Sequence, residues 1–210
     1  GDLLVRPDLV DRAVDLGRML VQLMPDEGEA RGLLALMLLT DARRATRLDD
    51  SGALLLLEEQ DRSRWDRDAV RDGLALLDFA RTRPSGRFTI QAVIAAVHAT
   101  APTYDATDWP LLRRLYDALH AAWPSPVVAL NRVVPILMTD GPDAALREVE
   151  ALERDGGLEG YRYLAATKAE VLRRLGRADE AALAYARALD ESRNEAERAF
   201  LRRRLAAVAN

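Results

Sequence analysis

The sequence predicts an all-α fold, an array of helical hairpins with one short β-hairpin inserted near residues 46–57. Three observations lead there. Apolar residues recur at three- and four-residue spacing almost everywhere, the period of a helix with one buried face. The second half repeats its apolar pattern at an offset of 36 residues, with Val133, Ile136, Ala145, Val149 and Leu152 falling on Ala169, Leu172, Ala181, Tyr185 and Ala188. A single segment, RLDDSGALLLL at 47–57, breaks the helical period by setting a turn-forming cluster ahead of four consecutive leucines.

The first helix opens near Pro7 and runs to about Met24, with Leu9, Ala13, Leu16, Leu20 and Leu23 along one stripe. Pro25 and Asp26 start the second, through Leu33, Leu36, Met37 and Leu39, because a proline in the first turn loses no helical hydrogen bond. In the 47–57 segment Asp-Asp-Ser-Gly reads as a turn feeding a short strand. A buried helical turn is the rival reading, since a short apolar run carries no period of its own. Asp66 is placed to cap a helix over 66–82 that carries Val70, Leu74, Leu76 and Leu77. Further helices follow at 86–100, 107–122, 125–138, 142–154, 159–175, 178–191 and 195–208, about ten in all. Residues 1–123 read as a helical lobe with the small hairpin and 124–210 as a repeat lobe. The two are expected to pack as one unit, because the WPSP junction is too short and too apolar to be a flexible linker.

The 36-residue offset is near the ~34 residues of tetratricopeptide units. The stretch AEVLRRLGRADEAALAYARAL, residues 169–189, resembles that family's small and large positions at Ala169, Leu172, Gly176, Ala181, Tyr185 and Ala188. Two departures mark the units as degenerate. Arg193 stands where a proline usually closes the unit, and the first copy lacks the tyrosine. The last helix, in NEAERAFLRRRLAAV, reads as a cap.

Composition narrows the function classes. With 210 residues and 49% hydrophobic content, the chain can bury a sizeable core. Its 30 basic and 34 acidic residues interleave along the whole length, for a net charge of -4, which argues against a phosphate-binding face and against direct DNA binding by this chain. The absence of cysteine rules out disulfides and thiolate metal sites and suits a reducing cytoplasm. No run of about 18 apolar residues and no basic-then-apolar leader is present, so the expectation is a soluble cytoplasmic chain with no membrane association.

The search for chemistry yields no catalytic, cofactor-binding or metal-binding residues. His98 and His120 fall on different helices, and neither has a ligand-type residue one turn on, so no zinc pair forms. His98, within IAAVHATA, reads as a core histidine whose ring nitrogens bond backbone or a carboxylate. RDGGLEGY at 154–161 follows a helix and has no lysine, so it reads as a helix end and turn rather than a nucleotide loop. Ser85 and Ser125 sit in proline-bounded turns without a nucleophile elbow. The densest polar stretch is LLEEQDRSRWD at 56–66. Glu58, Glu59 and Asp61 could do acid–base work, but nothing nearby supplies a second functional group. A scaffold role has a mechanism: Trp65 anchors the segment, and Asp61 pairs with Arg62 or Arg64 to tie the hairpin to the helices.

Three longer stretches, LLEEQDRSRWDR at 56–67, IQAVIAAVHATAPTYDATDW at 90–109 and SPVVALNRVVPILMTDGPDAAL at 125–146, precede the DGGLEGY turn and the NEAERAFLRRRL tail. In this order they resemble the C-terminal extension of a group of extracytoplasmic-function sigma factors, the bacterial initiation factors that direct RNA polymerase to alternative promoters. The resemblance covers nearly the whole chain. Nothing here looks like the two small helical modules that read promoter elements, which in that family lie N-terminal to this region. The resemblance implies a regulatory domain whose partner is the sigma core of the same polypeptide or RNA polymerase. Carried onto this sequence, the family's recurrent polar positions fall at Gln60, Asp61, Arg62, Trp65, Gln91, His98, Asp108, Trp109, Asn131, Arg132 and Tyr161.

Two function classes follow. An interaction module would present the inner face of the repeats, lined by Asn131, Tyr161, Tyr163, Ala165 and Ala169, as a groove for a protein segment. A ligand-sensing or enzymatic helical domain would instead hold a pocket around His98, Trp109 and Asp61.

Overall fold

The computed structural model describes residues 6–208, which carry ten α-helices and no strand. These are α1 (Pro7–Leu23), α2 (Gly28–Asp41), α3 (Arg67–Ala80), α4 (Arg87–Thr100), α5 (Trp109–Ala122), α6 (Pro126–Thr139), α7 (Pro142–Asp155), α8 (Arg162–Arg174), α9 (Ala178–Glu191) and α10 (Glu195–Val208). Two single 3-10 turns, Arg44–Thr46 and Arg62–Arg64, flank the leucine-rich segment. Helix periodicity therefore locates every helix to within a few residues. The largest boundary differences are at the starts of α8, at Arg162 rather than residue 159, and of α2, at Gly28 rather than Pro25. The Glu27 carboxylate accepts the Glu29 N–H and starts the helix there, while the Pro25 carbonyl is held in the preceding turn by Arg31.

Helix α2 is the hub of the first half. Its sequence, GEARGLLALMLLTD, is apolar around most of its circumference, and it packs against α1, α3 and α4 together. Glycine lets the backbones come close. A Cβ on Gly32 would lie 2.6 Å from Thr89 Oγ1 and 2.9 Å from Thr89 Cα, so α2 and α4 touch where Gly32 has no side chain. The start of α4 has no capping side chain of its own, because its N-cap is Gly86. Glu29 of α2 supplies one, accepting the N–H groups of Phe88 at 2.9 Å, Thr89 at 2.9 Å and Gly86 at 3.2 Å, together with the Thr89 hydroxyl.

In the second half each helix packs on the next from α6 to α10. The sequence repeat corresponds to burial: Val133, Ile136, Ala145 and Val149 in α6 and α7, and Ala169, Leu172, Ala181, Tyr185 and Ala188 in α8 and α9, share one core, with Leu152 against it. The DGGLEGY stretch is a helix end and turn, as read from sequence: Gly156 closes α7 at φ +74°. Arg198 explains how the last hairpin closes without a proline. Its guanidinium donates to the Leu189 and Ser192 carbonyls, satisfying the end of α9 from the following helix. Another apolar cluster joins Ile94 of α4, Trp109, Leu112 and Leu119 of α5, and Val128 of α6.

The expected β-hairpin at 46–57 does not form. One isolated antiparallel bridge, Leu48 to Leu54, is all that remains of it. The turn itself is real: Asp49 Oδ1 accepts from the N–H groups of Ser51 and Ala53 and from the Ser51 hydroxyl, with Gly52 at φ +83°. Beyond that bridge the leucine side chains go to different places. Leu54 and Leu56 pack on the α6–α10 core and Leu57 on the α2–α4 core. The Leu54 N–H bonds the Ala196 carbonyl of α10. Four leucines without alternation have no polar face to leave outside, so two flanking cores pull the segment apart.

Candidate functional site

The leucine-rich segment leads into a cavity of about 380 Å³ between the two halves of the helical stack. Its walls come from Leu54, Leu56, Leu57 and Glu58 of the segment, His98 of α4, Tyr104 from the loop after it, and Trp109, Leu112 and Tyr116 of α5. On the other side stand Asn131, Val134, Pro135 and Leu137 of α6, Tyr163, Ala166, Thr167, Glu170 and Arg174 of α8, Tyr185 of α9, and Glu197, Phe200 and Leu201 of α10. Leu112, Pro135 and Tyr185 are fully buried, whereas Val134 and Tyr163 are 38% and 39% exposed, so the mouth lies on the α6–α8 side. Pro135 sits inside α6 and has no N–H to give the Asn131 carbonyl.

Aromatic rings stack edge to face along one wall. The Trp109 ring lies 4.9 Å from Tyr104 and 5.7 Å from His98, centroid to centroid. Trp109 Nε1 and His98 Nδ1 are buried without a hydrogen-bond partner among the described residues, so the expectation that both His98 nitrogens are satisfied is corrected. Burial, reinforced by the nearby guanidinium groups of Arg62 and Arg43, pushes His98 down to about 4, so its ring is neutral at pH 7. Burial likewise pushes the hydroxyls of Tyr104 and Tyr116 up to about 12.

Charges at the rim are compensated. Arg174 pairs with Glu170 at 3.1 Å and with Glu58 at 3.3 Å. Arg162 reaches Glu197 at 2.6 Å, and the same buried carboxylate accepts from the Tyr163 and Ser192 hydroxyls. Burial would raise Glu197, but those bonds, led by the one from Arg162, hold it below the ordinary carboxylate range. The result is a mostly apolar chamber with paired ions at its edge. Among the described residues no group of His, Cys, Asp and Glu is arranged to hold a metal. This arrangement suits binding.

The LLEEQDRSRWD segment divides between the two sides. Gln60 is buried and donates to the Leu55 carbonyl. Trp65 is 4% exposed and donates through Nε1 to Thr46 Oγ1 at 3.0 Å. Arg62 lies over the Trp65 ring and donates to the carbonyls of His98 and Ala101, capping the end of α4. Asp66 caps α3 as the sequence suggests, accepting from Asp68 and Ala69. Glu58 and Glu59 face the other way and pair with Arg174, Arg203 and Arg204. Asp61 departs from expectation. It forms no ion pair among the described residues and caps the turn at Ser63 instead, because a carboxylate two residues ahead of an N–H closes an Asx turn at no entropic cost in long side chains.

Of the twelve residues singled out from sequence, His98, Trp109, Asn131 and Tyr163 line the cavity. Gln60, Arg62 and Trp65 form the knot behind it. Asp61 is absent from the cavity wall. Tyr161 flanks the start of α8 with its ring 5.3 Å from Tyr163. Asp108 caps α5 through the Leu111 N–H. Gln91 bonds the Arg87 carbonyl on the same helix, and Arg132 bridges Asp117 of α5 and Glu148 of α7. Ala165 and Ala169 lie in the core rather than on a groove; Ala166 and Thr167 take their place at the cavity. Tyr104, Glu170, Arg174 and Glu197 also belong to the site and carried no separate signal in the sequence. Glu197 reads there as one more acid in an acidic helix start.

Residues 1–81 match a family of unknown function, DUF6596. Over 203 residues, 96% of this chain, the sequence is 45% identical to an uncharacterised protein of Rhizobium meliloti strain 1021. That match takes up 47% of the other protein, so the chain spans about half the length of the curated relative it matches. No solved structure matches the chain. No helix among the described residues is long and apolar enough to cross a membrane.

Proposed function

We propose that this chain is the regulatory extension of an extracytoplasmic-function sigma factor, a tetratricopeptide-like interaction domain that acts in the cytoplasm on the promoter-reading core of its own polypeptide. The observation that carries the reading is convergence. The three stretches of the resemblance, far apart in sequence, each contribute to the wall of one cavity: Leu56 to Glu58 from the first, His98, Tyr104 and Trp109 from the second, and Asn131, Val133, Val134, Pro135 and Leu137 from the third. A relative about twice as long as the matched region supports a domain that works beside another one. The 36-residue repetition of buried positions in α6–α9 supports the helical-repeat character. In this reading the chain has no catalytic activity, binds no DNA itself, and transmits its effect through contact with the core or with RNA polymerase.

Run-off transcription tests it, with the full-length factor, the factor lacking this region, and the truncated factor plus this chain in trans. The expected result is that deletion changes promoter-directed output. Identical output in all three would refute the regulatory role.

The cavity favours one second reading, in which the same domain senses a small apolar molecule, since about 380 Å³ falls within the range of ligand sites. Saturable one-to-one binding of an apolar fluorescent probe, abolished when Ala166→Trp fills the chamber, is its test.

A further inference from the structure

Helix α1 has two apolar faces, and the fold uses only one. Val14 and Gly17 are buried against α2, with Val21 beside them. Roughly 140° around the helix from that face, at 3.6 residues per turn, stand Leu9, Leu16, Met19 and Leu23, exposed by 48%, 65%, 55% and 78%. Met24, 44% exposed, adjoins them, so five of the eleven exposed large hydrophobics in the described residues sit on this one helix and its end. An end helix of a stack needs a polar outer face to stay solvated; this one carries an apolar stripe on that side. Leu9, Leu16 and Leu23 are seven residues apart and Met19 lies three beyond Leu16, which is heptad spacing and fits another helix.

Arg12 falls within the same stripe and forms no hydrogen bond or ion pair among the described residues. The acids closest in sequence are engaged elsewhere: Asp8, one turn before Arg12, with Arg6, Asp11 with Arg44 and Asp15 with Arg18. A guanidinium in an apolar stripe, without a partner among the described residues, suits a carboxylate from a docking segment.

We infer that this face docks an amphipathic helix of the attached sigma core, with aliphatic side chains toward Leu9, Leu16 and Leu23 and a carboxylate toward Arg12. The identity of that partner rests on the reading under Proposed function; the existence of a face needing cover does not. A second copy of the chain fits less well. Five side chains on one helix offer a patch of a few hundred Å², short of the roughly 800 Å² per partner of a stable free interface. A parallel pair would also set Arg12 against Arg12. A covalently attached helix needs less area, because linkage supplies a high effective concentration. The matched region fills 47% of the longer relative, which leaves room for such a partner in the same polypeptide.

The test uses as its probe the portion of the Rhizobium meliloti relative outside the matched region, titrated with this chain by calorimetry at concentrations high enough to stand in for the lost linkage. Sedimentation velocity is run on the chain alone. Binding is expected, weakened at least about tenfold in the Leu16→Glu/Leu23→Glu double variant and severalfold in Arg12→Glu. The urea midpoint of the variants should stay that of the parent, because all three side chains are exposed. Absence of binding by the parent, equal binding by the double variant, or a dimer of the chain that Leu16→Glu dissolves would each overturn the inference. Run-off output that responds to this chain while the double variant still binds would overturn the docking face and spare the regulatory reading. Binding lost in the double variant, with transcription indifferent to the chain, would do the reverse.

Discussion

Replacing Trp65 by alanine should remove the post that holds the leucine-rich segment against the first helices. The ring is 4% exposed and packs among Ala35, Leu39, Val70, Leu77 and Ala92. Truncating a buried aromatic costs about 3–5 kcal/mol through lost transfer energy and the cavity left behind. Two further losses overlap with this one: the Thr46 hydroxyl loses its donor, at about 1 kcal/mol, and Arg62 loses the ring beneath it, at about 0.5–1 kcal/mol. Neighbouring contributions are not additive, so about 4 kcal/mol is the working figure. At roughly 2–4 °C per kcal/mol for a domain of this size, the melting temperature should drop by about 8–16 °C. Trp65→Phe keeps most of the apolar surface and loses the N–H bond, for about 1–2 kcal/mol. Asp61→Ala should cost far less than either, since that carboxylate only closes an exposed turn. Urea unfolding followed by far-ultraviolet circular dichroism measures all three. A Trp65→Ala variant within about 1 kcal/mol of the parent would refute the scaffold role and move the motif to a binding surface.

Stability should fall between pH 6.5 and pH 4 by up to about 3 kcal/mol, because the unfolded chain protonates His98 near 6.5 while burial delays that in the fold until about 4. The stabilisation is complete above the unfolded value, and a His98→Asn variant should lose this slope; an unchanged slope would count against burial of the ring. Glu29→Gln should destabilise the chain at pH 7 by about 1–2 kcal/mol, the worth of a helix N-cap. Burial favours its neutral form, but hydrogen bonds led by the Thr89 hydroxyl hold its carboxyl below the usual range, so this contribution disappears as pH falls below about 4.5; a variant as stable as the parent at pH 7 refutes it. Gly32→Ala should cost more than about 2 kcal/mol, since Thr89 backbone stands where the methyl would go, and an unaltered urea midpoint would show that α2 and α4 separate freely. Limited proteolysis around Pro124 should not release two stable halves, because α5 and α6 share the cluster of Trp109, Leu112, Leu119 and Val128; two such halves would mark independent lobes.

Local chemistry was enough for the helices. The 3.6 period, the capping role of Asp66 and the turn at Asp49 act within a few residues of chain, so they can be read from a single segment. Burial at a 36-residue offset was equally legible, because the matching apolar positions lie in or against one shared core. What needed the tertiary structure were the choices between partners of equal local merit. Leucines 54–57 have no period to select a strand or a face, and two separate cores decided their fate. Glu29 became the cap of a helix nearly sixty residues away because Gly32 lets α2 approach α4, a distance no local pattern encodes. Asp61 and Glu58 sit three residues apart in one acidic run, yet one closes its own turn and the other pairs with Arg174 on α8. Side-chain type limits what each residue can do; its neighbours in space, which long-range packing alone supplies, decide which of those things it does.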